Sequence, residues 1–362
     1  MLPSYLRSSG APSKSALRAW LDACTGKHIR YATAIARELR ARGHEVLLTT
    51  REHPDTLALA RLLGEEFRPV GRYVPHSRVG KLLASVEREA ELARTLAEGG
   101  WWPDVAICHQ SVELCRVAFG LGVPIICTTD SPHARAVGRL TLPLAEVVVA
   151  SEALPSGLLR ELGAKRVEQF RGVDEVAWVR RPELLTPADA FPWLKELERP
   201  LIVVREEEHG AAYARGRGLM ARIAARLAEL GTVVFLARYG RPEGLPEEVL
   251  VPEGFVDAAT LAGEADLVVG VGGTICREAA LQGTPVLVVR YLGRLHVNAY
   301  LAEKGFPLRE VGPEAGEVLA KARELLGARR DVGHLLASLE DPVELIVRLA
   351  EELAGQGVPQ HS

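Results

Sequence analysis

The chain has 362 residues, of which 48% are hydrophobic and 25% charged, and a formal net charge of −3. That length is too great for a single core and suits two domains of ordinary size, while the composition is that of a water-soluble globular protein. The slight negative charge provides no global attraction to nucleic acid or an anionic membrane, so any affinity for anions has to come from local sites.

Apolar runs alternate between the strand and helix periods along the chain, the pattern of parallel sheets covered by helices on both faces. In the first half this predicts strands at 18–23, 45–49, 67–70, 105–108, 125–128 and 146–150, with helices between them at 28–42, 54–63, 81–98, 112–121 and 134–142. From about 171 to 200 the periodicity lapses into a proline- and aromatic-rich stretch, GVDEVAWVRRPELLTPADAFPWLKELERP, read as the interdomain connection. A second series follows, with strands at 201–204, 233–237, 267–271 and 286–289, a short one near 253–256, and helices at 211–230, at 258–262 and from about 275. An amphipathic helix at 342–353, with Asp341 as its N-cap, is read as crossing back to the first half. The expected organisation is α/β, with two doubly wound domains facing across a cleft. A tail at 1–15 precedes an acceptor domain at 16–180, a connection at 181–200 and a nucleotide domain at 201–340. A C-terminal helix at 341–356 and a tail at 357–362 complete the chain.

No apolar run approaches the roughly 18 residues that span a bilayer, and the Ser/Pro-rich start lacks the apolar stretch of a secretory signal. Five cysteines, Cys24, Cys108, Cys115, Cys127 and Cys276, are odd in number and show no CxxC spacing. They point to a reducing cytoplasm and away from structural zinc. A single asparagine, few glutamines and methionines, and arginine in excess over lysine lean toward a heat-adapted protein.

The most informative stretch is 255–289, FVDAATLAGEADLVVGVGGTICREAALQGTPVLVV, which reads as strand, glycine turn, helix and strand. Gly272, Gly273 and Thr274 let backbone amides approach an anion at a helix N-terminus, and Glu278 lies one turn in, where a carboxylate reaches ribose hydroxyls. The other reading of GG before a helix is a packing turn. Ligands of open α/β sheets bind beyond the carboxyl ends of the strands. At that edge the second domain carries Arg205 and Arg238, whose forked donors suit phosphate; pairing with Glu206 to Glu208 is the alternative. The first domain carries Thr25, Gly26, Lys27 and His28, then His109 and Ser111, then Asp130 and His133. His133, oriented by Asp130, is the first candidate for a general base, with His28 next; each histidine taken singly is also a candidate loop or cap residue. Asn298, with His296 nearby, falls in a loop-to-helix region able to close over the cleft or to serve as a cap. The basic stretch 68–81 and the Trp101-Trp102 pair are candidate contacts for an acceptor, against the plainer readings of a solvated loop and a packed interdomain pair.

The segments WLDACTGKH, PDVAICHQSVELCRVAFGLGVP, DSPHA, RGVDEVAWV, GGTICREAALQGTP and LEDPVELIV, spread from Trp20 to Val347, resemble an uncharacterised, largely archaeal family of the glycosyltransferase-B superfamily. That family is similar to UDP-N-acetylglucosamine 2-epimerases. The resemblance implies two Rossmann-like domains of glycosyltransferase-B type. It also implies that Gly272, Gly273 and Thr274 hold the sugar-nucleotide phosphates, Glu278 takes the ribose, and Phe255 and Val256 read the base. Where true epimerases carry an aspartate after a glycine, this chain has His109-Gln110-Ser111. The expectation is therefore a cytoplasmic transferase that uses a nucleoside-diphosphate sugar as substrate, with no cofactor and no metal, and a lipid-phosphate or saccharide acceptor. It would contact a membrane at most peripherally and bind no nucleic acid. A sugar-nucleotide 2-epimerase and a non-catalytic nucleotide-sugar-binding protein are the alternatives.

Overall fold

A computed structural model describes residues 16–74, 77–208, 218–238, 240–290 and 293–355. The predicted tails at 1–15 and 357–362 lie outside the described residues, as does the first part of the predicted helix at 211–230. Two all-parallel sheets form. The first holds β1 (Arg18–Ala23), β2 (Glu45–Glu52), β3 (Arg68–Arg72), β4 (Val105–His109), β5 (Ile125–Thr129), β6 (Val147–Ser151) and β7 (Val167–Phe170) in the order β3-β2-β1-β4-β5-β6-β7. The second holds β8 (Leu201–Arg205), β9 (Thr232–Leu236), β10 (Leu267–Gly270), β11 (Val286–Val289) and β12 (Leu308–Val311) in the order β12-β11-β10-β8-β9.

Both strand orders reverse beside the first strand of their sheet, and it is there that the loops diverge to leave a crevice. The central strands are continuous β-branched and aliphatic runs because helices cover both faces. In β8, for example, Leu201 and Val203 point into a core shared with the first sheet, while Ile202 and Val204 point into a separate core under the helix Leu219–Leu227. The shared core continues through Trp178, fully buried in the connecting segment, to the final helix, Pro342–Gly355. That helix packs on the first sheet's helix Gly26–Ala41 and on β4 and β5, and Asp341 Oδ1 accepts from Val343 N at 3.0 Å to start it.

Several elements differ from the sequence expectation. The edge strands β7 and β12 were not foreseen; they are four residues each, partly polar and partly exposed, so neither period shows. The short strand expected near 253–256 does not form, and only Leu250 makes an isolated bridge to Val234. The basic stretch at 68–81 is not a free loop: its start is β3, its end is the first turn of the helix Arg78–Gly99, and residues 75–76 lie outside the described residues. Trp101 is not an interdomain residue, because it lies before the amino end of β4 and donates its indole N–H to Glu45. No helix among the described residues is long and apolar enough to cross a membrane.

Candidate active site

The carboxyl ends of both sheets open onto one cleft of about 1660 Å³, whose described lining holds twelve Lys and Arg residues against six Asp and Glu. Four of those cations, Lys27, Arg30, Arg88 and Arg277, are matched by Asp174, Asp257, Asp22 and Glu175 just behind the lining, so attraction for an anion has to come from the others.

On the second sheet, β10 ends in the turn Gly272-Gly273 and the helix Thr274–Leu281. The two glycines are needed for different reasons. Gly272 has φ +91°, and a Cβ there would meet Leu295 and the Asn298 amide, whereas a Cβ on Gly273 would meet nothing within 4 Å. The first is conformational; the second leaves space above a helix N-terminus. Asn298 lies inside the helix His296–Glu303, is buried, and donates Nδ2–H to the Gly272 carbonyl at 3.2 Å, which holds the turn in place.

Arg205, at the end of β8, packs beside Gly270 next to this turn. Its Nη1 donates to the Leu236 carbonyl at 3.3 Å, and among the described residues it has no ion-pair partner. Burial, and then the neighbouring Arg238 charge, push its guanidinium down to about 9. Arg238 donates its backbone N–H to the Glu206 carboxylate and its Nε–H to the Glu206 carbonyl and lies 3.6 Å from Glu208, so among the described residues the carboxylate pairing weighed from the sequence forms at Arg238 and not at Arg205. Glu207 is turned away to cap the helix Leu219–Leu227, accepting from Leu219 N and Met220 N.

Glu278 lies one turn into the helix Thr274–Leu281. It borders the cleft but is only 3% exposed, and Oε1 accepts the Trp178 indole N–H at 2.8 Å. Burial pushes its carboxyl up to about 7. A carboxyl that binds its proton more tightly folded than unfolded stabilises fully at low pH and loses that stabilisation as the pH rises. The structure thus predicts a decline of about 3 kcal/mol between pH 4.5 and 7. Glu278→Gln keeps the acceptor for Trp178 and should flatten that decline; denaturant unfolding of both proteins at several pH values measures it, and equal slopes would show that Glu278 ionises freely.

At the junction of the two halves Lys27, on the first turn of Gly26–Ala41, donates Nζ–H to Asp130 Oδ2 at 2.5 Å and Asp174 Oδ2 at 2.8 Å. Arg277, from the helix after the glycine turn, donates to the same Asp130 oxygen at 2.7 Å and lies 2.9 Å from Glu175. Burial alone would raise Asp130, but Lys27 and Arg277 hold it well below the carboxylate range. Glu175 is different. Burial pushes it above its ordinary value, with Arg277 and Lys27 opposing, and among the described residues neither of its oxygens has a hydrogen bond of good geometry, although Arg277 Nε lies 2.9 Å from Oε1. His109 Nδ1 meets Thr128 Oγ1 at 2.7 Å and Nε2 meets Asp130 Oδ1 at 3.3 Å. The imidazole that Asp130 bonds is thus His109, a correction to the expected Asp130–His133 pair; His133 sits on the exposed rim, within the field of Asp130. His28 Nδ1 accepts from Cys24 N at 3.4 Å, which leaves the ring proton on Nε2, and burial and then His109 hold the ring well below 6.5. Thr25 and Ser111 are N-caps, Ser111 also donating to Asp22 at 2.6 Å. Gln110, between His109 and Ser111, has φ +49°, a strained turn of the kind that collects at functional sites. Phe255 and Val256 line the cleft as half-buried loop residues.

Asp174, Glu175 and Arg277 were missed from the sequence because the first two fall in the segment read as a connection and the third on a helix noted only for Glu278. Adjacent acids before a buried VAWV were the available signal. The fold also gathers Cys108, Cys115 and Cys127, whose Sγ atoms lie within 4.8 Å of one another, which their spacing did not announce.

Two parallel α/β halves across such a cleft define the glycosyltransferase-B class of fold, shared by glycosyltransferases and UDP-N-acetylglucosamine 2-epimerases. The chain belongs to the family described as "Protein of unknown function (DUF354)", whose model matches residues 17–354. It is 30% identical over 340 residues to the uncharacterised protein MJ0665 of Methanocaldococcus jannaschii, covering 91% of this chain and 96% of that protein. It is similar in fold to a putative UDP-N-acetylglucosamine 2-epimerase from Listeria monocytogenes, with TM-score 0.70, 13% identity, and 96% and 99% of the two chains covered. The corresponding values for the spinosyn forosaminyltransferase SpnP are 0.62, 17%, 94% and 100%. For the Neisseria meningitidis 2-epimerase bound to UDP-GlcNAc they are 0.62, 16%, 94% and 100%.

Proposed function

We propose that this protein is a glycosyltransferase that holds a nucleoside-diphosphate sugar on its second sheet and an acceptor on its first. The observation that supports this most is Arg205, a guanidinium that makes no ion pair among the described residues, with Asp55, Glu206 and Glu208 acting on it only from a distance, beside a helix N-terminus whose Gly273 leaves the approach open. Forked donors and backbone amides together suit a diphosphate and need no cation to neutralise it. The remaining Glu278 oxygen takes the ribose, and the loop of Phe255 and Val256 takes the base. The cleft, about 1660 Å³, exceeds the roughly 300–1,000 Å³ of a single small-molecule site and has room for an acceptor beside the donor.

In this reading His133 removes the acceptor proton while Arg205, Arg238 and the helix stabilise the departing diphosphate. The second reading, epimerisation of the bound sugar nucleotide, is favoured by Glu175, a buried carboxyl raised toward its protonated form in the same cluster. Turnover of a sugar nucleotide without any acceptor would select it.

Calorimetry with nucleoside diphosphates tests the binding step. Arg205→Ala should weaken binding by about 1.5–3 kcal/mol, roughly tenfold to a hundredfold in Kd, as expected for a charged hydrogen bond. Gly273→Ala, whose methyl meets no protein atom within 4 Å, should unfold like the native protein yet bind poorly. Native affinity in both variants would place the diphosphate elsewhere.

A further inference from the structure

The helix Arg78–Gly99 presents two faces of opposite logic. Ala84, Arg88, Leu92 and Leu96, four residues apart, are buried against the first sheet. On the outward face Val79, Leu82, Leu83 and Val86 follow i, i+3, i+4, i+7, and all four are more than half exposed, from 54% to 67%. A soluble helix places its apolar stripe inward, so a second stripe turned to solvent is unpartnered surface.

Charge is segregated along the same helix. Its first nine residues, to Val86, contain Arg78 and Lys81 and no acid; acids begin at Glu87. Arg72, exposed at the end of β3, stands beside this end but faces Glu87 at 3.9 Å, so the basic charge of the patch is that of Arg78 and Lys81. Arg78, Lys81 and Leu82 line the cleft mouth on the first half's side, so the patch is continuous with the rim where an acceptor would enter. Apolar side chains ringed by cations, on a protein of net charge −3, match the headgroup boundary of an anionic bilayer better than a second copy of this chain, whose matching patch would carry the same positive charge.

We infer that the outward face of Arg78–Gly99 docks the protein on an anionic membrane surface, with Val79, Leu82, Leu83 and Val86 entering the headgroup layer and Arg78 and Lys81 meeting lipid phosphates. The cleft mouth then faces the bilayer, and the acceptor is carried on a lipid. The lipid acceptor rests on the transferase reading; the docking does not.

Flotation of the full chain with vesicles tests it. The protein should float with phosphatidylcholine vesicles containing phosphatidylglycerol, not with phosphatidylcholine alone, and salt should release it. Val79→Ser/Leu83→Ser/Val86→Ser should abolish flotation, as should Arg78→Glu/Lys81→Glu, with a native denaturant-unfolding midpoint as the measure of folding. Arg205→Ala should float normally, which separates failure of docking from failure of the nucleotide site. No flotation of the native protein, or undiminished flotation of the serine variant, overturns the proposal. So does a native dimer that the serine variant splits while neither protein binds vesicles, since the stripe would then be a contact between copies.

Discussion

His133→Ala is expected to bind a nucleoside diphosphate with native affinity and to turn over about a hundredfold to ten-thousandfold more slowly, the usual loss on removing a general base. Four imidazoles line this cleft, His28, His109, His133 and His296, and the geometry distinguishes the three that come from the first half. His109 is held at both nitrogens by Thr128 and Asp130, and His28 directs its protonated nitrogen away from Cys24. His133 stands on the rim, where burial lowers its pKa below 6.5 and the Asp130 charge partly opposes that shift. At neutral pH it is therefore the uncharged imidazole that accepts a proton. The native rate should rise with pH through a value below 6.5 and then level, and His133→Ala should lose that limb. Steady-state rates against pH, taken with calorimetry of the same variant, give the check. Near-native turnover would pass the role to His28 or His109, and lost nucleotide affinity would place His133 on the donor.

Arg88→Ala should give the largest loss of stability, about 3–5 kcal/mol, the cost of leaving a buried charge without its partner. Arg88 and Asp22 form a two-pronged pair at 2.6 and 3.1 Å, each about 2% exposed, and Arg88 Nε also donates to the Val70 carbonyl. Asp22 further accepts from Thr49 and Ser111. Burial alone would raise the Asp22 carboxyl, but the Arg88 charge and these bonds bring it below 3.8. Its stabilisation is present above that pH and is lost as the pH falls through the lower native value. Arg88→Ala should therefore also lose its acid limb, and denaturant unfolding at pH 7 and near pH 3 measures both effects. A cost under about 1 kcal/mol would mean that water or a proton compensates Asp22 without strain.

What the chain order alone determined is the succession of buried strands and covering helices, because a strand buried on both faces has to be apolar throughout and a covering helix apolar on one side. β1 and β11 are found at their predicted limits, and the glycine turn before Thr274 was legible for the same local reason, that only glycine accommodates φ +91° beside Asn298. The edge strands β7 and β12 were not legible, since pairing on one side lets their residues be polar. Nor was the charge cluster. Lys27 and Asp174, and likewise Asp130 and Arg277, are bonded pairs 147 residues apart along the chain that meet only when the fold forms, so no spacing encodes them. Tertiary structure also decided which imidazole Asp130 holds, that Glu278 answers to Trp178, and that Arg205 makes no ion pair among the described residues. Local sequence sets backbone conformation and burial; the state of an ionisable group is set by neighbours and solvent access, which exist only in the folded chain.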